Sequence, residues 1–529
     1  MKTLLLSGLF LSATILSCKQ PSKTNYTLGT VTFEVAGTEA AQQAFMKGHL
    51  LMHSFEFADA AEAFREAQTL DPTCAMAYWG EAMTYNHAIW QEQDFEKAVT
   101  TLKKLGATPE ARMKKGATPL EKDFLQAVNV LYGDGTKTER DRAYARFMGE
   151  LYNKYPGNHE VASLYALALL GEEPVGRSEE LYGQSARISA QILKENPNHP
   201  GALHYFIHAN DDPYHAREAL QAADEYSVVA HDATHALHMP THIYLALGMW
   251  DRVVSSNEVS WQASVNRKQK RNLPHDALGY HSFHWLEYGY LQQGRVQDAQ
   301  KLLQDMMTYC AAQPSVKART HEIFLKSSYA VETNDWKSPL IAHETDAKEL
   351  NVATQGLESF VKGMRAYAMA DIPAMEKVIA TMEQDRVRET AKIDGDGIAL
   401  CGSGGASREN TTKTDIDLLH LMEMELQGMK AWQQKDLATA DRWLKEAASF
   451  EDRIAFGYGP PVAKPSSELY GEFLLSQNHP GEAMQYFDNS LKRAPRRVLS
   501  LKGKMEAAKM LKQDDVVAAM EKELQSIKV

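Results

Sequence analysis

The stretch GHLLMHSFEFADAAEAFREAQTLDP, residues 48–72, predicts two short helices packed against each other. Gly48 and Ala60 are small enough to let two antiparallel helices approach closely. Phe64 has the size to fill the space between them, and Pro72 ends the second helix because proline cannot continue one. A unit of this kind buries its apolar face only when further units stack on it, so we expect an array.

Related units recur along the chain. Clear ones lie at residues 246–254, 290–303 and 467–495, and fainter ones at 75–104, 158–197, 198–226, 319–345, 356–384 and 418–449. Their small-residue, aromatic and proline positions resemble the tetratricopeptide repeat. Only residues 30–35, TVTFEV, alternate like a strand. The sequence therefore predicts an all-α tetratricopeptide-repeat solenoid of about eight to ten stacked antiparallel helix pairs.

The N-terminus has the layout of an export signal, with Lys2 followed by an apolar run and a small residue before Cys18. Residues 15–18, ILSC, resemble the bacterial lipobox, in which the signal is cut before the cysteine and the cysteine is acylated, with palmitate among the chains. The alternative is a signal cut elsewhere, with Cys18 incidental. We expect a lipid-anchored protein of the cell envelope, on the outer membrane of a Gram-negative bacterium and in contact with the periplasm.

The same reasoning divides the chain into segments. These are a signal peptide (1–17), the anchored cysteine and a tether (18–37), an N-terminal array with a histidine-rich segment (38–265), a middle array (266–390), a Gly-rich polar loop (391–415) and a C-terminal array (416–529). No later apolar run reaches the roughly 18 residues that a spanning helix needs, so the lipid is the only membrane contact we predict.

Charge and cysteine content exclude some functions. The formal net charge is −12 and no long run of Lys and Arg occurs, so we predict no nucleic-acid partner. Beyond Cys18, only Cys74, Cys310 and Cys401 remain, and they form no CxxC pair. A disulfide framework is therefore not expected.

Several stretches resemble a family of bacterial tetratricopeptide proteins that is largely uncharacterised. They are LLMHSFEFADAAEAFREAQTLDPTCAMAYWGEAMTYNHAIW, GALHYFIHA, HALHMPTHIYLALGMWD, YGPPVAKPSSELYGEFLL and RAPRRVLSLKG, and they extend from about residue 45 to residue 505. The resemblance implies the repeat fold over most of the chain. It implies no reaction.

Histidines concentrate in one region, with 11 of 19 between His199 and His284. Pairs at helical spacing, one turn apart, can direct two imidazoles at one ion. Pro240 predicts that a helix begins near Met239, which leaves His231 and His235 at the end of the previous helix or in the connection. Pairs spaced about one repeat apart would lie side by side on the inner face. The predicted transition-metal ligands, for zinc, copper or iron, are His204, His208, His238, His242, His281 and His284.

Two other interpretations of the histidines stay open. In one, they are hydrogen-bonded residues that line a ligand groove; in the other, they form a surface that responds to pH. The predicted groove residues are His53, Trp79, His87, Trp90, Tyr205, Tyr244 and Trp285.

Two classes of function follow. We predict first a lipid-anchored binding or scaffold protein that holds a peptide, protein or small ligand on its inner face, with no catalytic residue assigned. The alternative is a metal-dependent enzyme or metal-binding protein that uses the predicted histidine ligands.

Overall fold

The computed structural model describes residues 26–173, 175–393, 397, 410–454, 459–461 and 463–527. The predicted signal peptide, Cys18, Cys401 and most of the predicted loop at 391–415 lie outside these residues. Within them, Cys74 and Cys310 are buried thiols that form no disulfide. No helix in this part of the chain is both long and apolar enough to cross a membrane.

Helices make up nearly all of the regular structure. The first group comprises α1 (Glu39–His53), α2 (Phe57–Leu70), α3 (Ala75–Met83), α4 (Phe95–Leu105), α5 (Pro109–Met113), α6 (Pro119–Leu131), α7 (Lys137–Lys154), α8 (His159–Glu172) and α9 (Glu179–Glu195). The middle group comprises α10 (Pro200–Ala209), α11 (Leu220–Val229), α12 (Thr234–His238), α13 (Pro240–Ala246), α14 (Trp250–Arg271), α15 (Tyr280–Gln292), α16 (Val296–Ala312), α17 (Val316–Thr333) and α18 (Pro339–Ala342). The last group comprises α19 (Val352–Ala368), α20 (Ile372–Thr390), α21 (Lys413–Gln433), α22 (Leu437–Glu451), α23 (Ser466–Ser476), α24 (Pro480–Arg493), α25 (Val498–Met510) and α26 (Asp514–Ile527).

Short 3-10 turns lie at Ala88–Trp90, Ala216–Ala219 and His275–Ala277. In the described part of the chain the only sheet is a two-residue antiparallel pair, β1 (Asn86–His87) with β2 (Glu92–Gln93). Residues 30–35, which alternate like a strand, form none. Phe33 instead packs its ring 5.5 Å from that of Phe45, because an extended segment without a partner strand can still bury its apolar side chains.

The predicted all-α solenoid is confirmed, since successive helices pack as antiparallel pairs along the chain. The boundary predicted at residues 265 and 266 falls inside α14, which continues to Arg271. The Lys, Arg and Gln residues there are good helix formers, so the helix continues through this polar stretch.

Phe64 occupies the position that its unit predicts. A Cβ atom added to Gly48 would lie 3.0 Å from the Phe64 ring, and one added to Gly80, on the next helix, would lie 2.4 Å from it. Phe487 has the same relation to Gly471 and Gly503 near the C-terminus. A glycine on each neighbouring helix therefore makes room for one aromatic ring.

This packing gives the first prediction. Gly80→Ala should lower the free energy of unfolding by about 1–3 kcal/mol, because the new methyl group overlaps a buried ring. Gly481→Ala is the matched control, since nothing lies within 4 Å of its added Cβ atom. That change should be neutral or stabilise α24 by up to about 1 kcal/mol. Urea unfolding of both variants measures the difference, and equal effects would contradict the packing argument.

The solenoid curls until both of its ends contact the middle helices. His204 of α10 donates from Nδ1 to the backbone oxygen of His53 at the end of α1, at 2.7 Å. From the other end, the backbone oxygen of Arg496 accepts from Trp250 Nε1 at 3.1 Å, and Val498 N–H donates to Gln292 Oε1 at 2.9 Å. The histidine-rich helices therefore lie at the centre of the molecule.

Candidate metal centre

Four of the middle helices, α10, α12, α13 and α15, carry the histidines. His204 and His208 lie one turn apart on α10. Pro240 begins α13, as its position predicts, and separates it from the short helix α12. Met239 between them keeps helical backbone angles, φ −53° and ψ −35°, so His235, His238 and His242 follow one another along a nearly continuous helical path.

Six imidazoles form two adjacent sets. One ring nitrogen from each of His204, His208 and His235 lies within 4.8 Å of the others, and we call these residues the first histidine set. His238, His242 and His281 meet the same condition and form the second histidine set. The rings of His208 and His242, one from each set, have centroids 5.1 Å apart. The two sets therefore make one continuous cluster.

Hydrogen bonds fix the tautomer of His204 and of His238. The backbone oxygen of His53 accepts from His204 Nδ1, so that nitrogen carries the proton. His238 Nδ1 donates to Asn257 Oδ1 at 2.7 Å, and the Asn257 amide is oriented because its Nδ2 donates to the Val253 oxygen at 2.9 Å. In the neutral ring the other nitrogen, Nε2, must then carry a lone pair.

Asp211 fixes the tautomers of His208 and His242 in the same way, and it connects the two sets. Its Oδ2 atom accepts from His208 Nδ1 at 3.2 Å and from His242 Nδ1 at 3.0 Å, while Oδ1 accepts from Arg177 Nη1 at 2.8 Å. Burial alone would raise the pKa of Asp211, but the hydrogen bonds from the two histidines lower it. A carboxylate that holds imidazole Nδ1–H groups is the usual outer partner of metal-binding histidines.

Several of the inward nitrogens lack a hydrogen-bond partner. Among the described residues, none hydrogen-bonds to Nε2 of His204, His235 or His238, and all three atoms are buried. Leaving a buried polar atom unsatisfied costs about 1–3 kcal/mol each. A cation shared by converging lone pairs would remove this cost.

Burial also keeps the imidazoles neutral. Desolvation, with smaller contributions from neighbouring histidines, lowers the pKa of His204 and His235 well below the usual value. It lowers the pKa of His238 to about 3, again with His242 as a secondary cause. Metal ions bind the neutral form of imidazole, so the rings are in the binding form at neutral pH.

The donor set suits a transition metal. Imidazole is a ligand for zinc, copper, iron and nickel, and three imidazoles leave an open coordination position. Trp285 covers the second set, with its ring centroid 4.6 Å from that of His242 and 4.9 Å from that of His238. An apolar cover of this kind controls the access of solvent to a metal.

Asp211 offers a direct test of this arrangement. Asp211→Asn should weaken metal binding by about 10- to 100-fold, because the amide holds the two Nδ1–H groups less strongly than the carboxylate does. Competition with a metal-binding dye measures the affinity. Asp335→Asn, at an exposed aspartate outside both histidine sets, is the control. Unchanged affinity in Asp211→Asn would show that this carboxylate does not orient ligands.

Two residues differ from the sequence-based prediction. His284 lies outside both sets, because its Nε2 bonds to Ser328 Oγ at 2.9 Å and its ring packs beside Phe324. His235 was assigned to the end of a helix or a connection, yet it joins the first set because the connection itself folds into α12. The other five predicted ligands lie in the two sets.

A second buried cluster surrounds Glu160. His53 and His199 each place Nε2 at 3.0 Å from its carboxylate, and His49 also contacts it. Burial would raise the pKa of Glu160, but the nearby histidines lower it well below the usual value. His199 Nδ1 accepts from Ala202 N–H, so its Nε2–H donates to the carboxylate. Hydrogen bonds link most of its polar atoms, but His49 Nδ1 has no hydrogen-bond partner among the described residues, and His49, His53 and Glu160 also have the spacing of metal ligands.

The predicted groove residues do not form one groove. His53 and Tyr205 are fully buried where α1 contacts α10, and Trp79 is fully buried against the Phe124 ring. The Tyr244 hydroxyl bonds to Asp224 at 2.6 Å. The remaining partly exposed pair consists of His87 and Trp90, whose rings contact Phe57.

Trp285 alone of the predicted groove residues lines a large cavity. This cavity has a volume of about 390 Å³ and lies between the second histidine set and the C-terminal helices. His242 and His281 form part of its wall, and Leu418 and Leu421 of α21 face them. The second set therefore opens towards a space that could hold a small molecule.

The protein is, by its fold, an all-α tetratricopeptide-type solenoid with a histidine cluster at its centre. No protein-family model matches the sequence, and neither does any curated protein. Solved structures similar to the chain include yeast Tom70, which is 13% identical, with 92% of this chain and 99% of that one covered and a TM-score of 0.34. The Cut9–Hcn1 hetero-tetramer of the APC/C is 10% identical over 88% and 76% of the two chains, with a TM-score of 0.37.

A human IFIT1 dimer with m7Gppp-AAAA is 11% identical over 93% and 96% of the two chains, with a TM-score of 0.37. Similarities at this level concern the repeated helices and carry no argument about function. The solenoid architecture itself supports a protein-binding role in general terms, because stacked helix pairs present extended surfaces.

Proposed function

We propose that this protein binds two transition-metal ions, one in each histidine set. The observation that carries the proposal is the fixed tautomer of four buried histidines. Their Nδ1–H groups are held by His53, Asp211 and Asn257, so the lone pairs of their Nε2 atoms face the two sets. Neutral nitrogen lone pairs brought together in this way are what a cation requires.

The donor set narrows the kind of ion. Both sets consist of imidazole alone, and the nearby carboxylate of Asp211 is engaged by Arg177 and two histidines. Hard ions such as magnesium and calcium prefer oxygen ligands, so we propose zinc, copper or iron. An open position on each ion would supply Lewis acidity or a site for an exogenous ligand.

X-ray absorption spectroscopy of the metal-loaded full chain tests this directly. We expect a first shell of about three imidazole nitrogens per ion at about 2.0–2.1 Å if the ion is zinc. The outer-shell scattering of imidazole rings identifies histidine as the donor. A first shell dominated by carboxylate oxygen or water would contradict the proposal.

The scaffold function predicted from the sequence is compatible with a metal centre. We propose that the outer surfaces of the solenoid contact a protein or peptide partner while the inner cluster holds the ions. Anchoring through acylated Cys18 on an outer membrane, and the absence of a nucleic-acid partner, also stay proposals. Mass spectrometry of the mature N-terminus tests the anchor, since an unmodified Cys18 would exclude it.

A further inference from the structure

We infer that the cavity beside the second histidine set binds a small, uncharged aromatic molecule whose hydroxyl group reaches the metal of that set. This inference rests on the proposed function, because the hydroxyl contact needs the ion. The shape, the charges and the rigid wall of the cavity each support it separately.

The cavity has the size and lining of a small-molecule site. Its volume of about 390 Å³ falls within the range of about 300–1,000 Å³ that such sites occupy. Aromatic rings of Trp250, Trp285, Tyr288 and Phe324 line it. Aromatic pairs attract each other beyond the effect of the area that they bury, which favours an aromatic ligand over an aliphatic one of equal size.

The charges in the wall exclude a charged ligand. Two acidic residues, Asp211 and Glu451, and two basic residues, Lys464 and Arg493, line the cavity, so their formal charges cancel. Each has protein partners: Asp211 binds Arg177, and Lys464 Nζ donates to Glu472 Oε1 at 2.8 Å.

Glu451 is held by the backbone and lies near the charge of Arg493. Both carboxylate oxygens of Glu451 accept from backbone N–H groups, those of Ser466 and Ser467, at 3.2 Å. Burial raises the pKa of Glu451, and the nearby charge of Arg493 partly offsets that rise. A ligand charge would therefore meet no uncompensated partner, and burying it would cost several kcal/mol.

Residues 459–461 form the part of the wall next to Trp285. Gly459 has φ +113°, and a Cβ atom added there would lie 3.1 Å from Trp285 Cζ2. Pro460 and Pro461 follow it and line the cavity. Proline fixes φ, so this wall is preorganised and a ligand need not order it on binding.

The histidines in the cavity wall are the reason for proposing a hydroxyl group on the ligand. His242 and His281 belong to the second set and also line the cavity, so an ion held there would present its open position to the ligand. An oxygen donor from the ligand could fill that position.

Isothermal titration calorimetry of the full chain tests the inference, with phenol as the probe and fluorobenzene as an analogue of similar shape without the hydroxyl group. Metal loading should tighten phenol binding by about tenfold, equivalent to about 1.4 kcal/mol, and leave fluorobenzene unchanged. On protein stripped with a chelator, benzoate and benzylammonium should bind at least about tenfold more weakly than phenol.

Two variants locate the site. Ala463→Phe and Leu418→Trp each add bulk to the cavity wall and touch neither histidine set, so both should keep two ions and lose phenol binding by at least about tenfold. Ala311→Phe, at an exposed position of α16, is the matched control and should bind phenol normally.

The outcomes separate the two claims. A chain that holds two ions but binds no phenol, or binds it equally well in both filled variants, overturns this inference and leaves the proposed function intact. A chain that binds phenol in the cavity but takes up no metal overturns the proposed function and the hydroxyl contact together.

Discussion

In the double variant His204→Ala/His238→Ala, bound transition metal should fall from two ions per chain to nearly none. Each substitution removes one imidazole from one histidine set, and a three-ligand site that loses a ligand keeps only two protein donors. The two imidazole rings that are lost are ones whose tautomer is fixed by hydrogen bonds to His53 and Asn257. Elemental analysis by mass spectrometry, with circular dichroism to confirm the helical content, measures the change.

The matched control is His343→Ala/His479→Ala. Both of these side chains are at least half exposed, and each faces a single glutamate. The control should retain both ions. If the double variant in the two sets also retains them while it folds normally, then the imidazoles of the central cluster are not the ligands.

Arg497 gives the second large effect. Its side chain is fully buried at the start of α25. It donates to both oxygens of Glu468, at 2.9 and 3.1 Å, to the Tyr288 hydroxyl at 2.9 Å, and also to Glu332. One guanidinium group therefore ties the last helices to α23, α15 and α17.

Arg497→Ala should lower the free energy of unfolding by about 3–5 kcal/mol, because Glu332 loses its cation and Glu468 keeps only the longer contact with Lys464, at 3.3 Å. Arg252→Ala, which breaks a half-exposed pair with Asp224, should cost less than about 1 kcal/mol. Chemical unfolding of both variants makes the comparison. A similar small effect in both would mean that the buried network does not hold the ends of the solenoid together.

The local part of the fold could be predicted from the sequence. The unit at residues 48–72 shows its small and aromatic positions directly, and Phe64 packs against Gly48 as those positions require. The curl of the solenoid could not be predicted in this way. It depends on contacts between residues far apart in the chain, such as His204 with His53 and Trp250 with Arg496.

The candidate site could be predicted only in part, because it also depends on contacts between residues far apart in the chain. Helical spacing correctly paired His204 with His208, because residues four apart lie on one face of a helix. The spacing of His281 and His284 predicted that both rings reach one ion, but the His284 ring bonds to Ser328 of α17 instead. His235 was missed because the five-residue helix that carries it gives no periodic signal.

Asp211 shows a further limit of sequence-based prediction. The structure places its carboxylate behind His208 and His242, where it accepts from their Nδ1–H groups. A residue that acts through hydrogen bonds to two different helices has no signature in the spacing of either one.

The most direct test of the account is the metal content of the full chain, purified without a polyhistidine tag, loaded in turn with zinc, copper and iron, and then dialysed. The account predicts that at least one of these metals remains at two ions per chain, as counted by elemental mass spectrometry against protein concentration from amino-acid analysis. No retained metal with any of the three would contradict it.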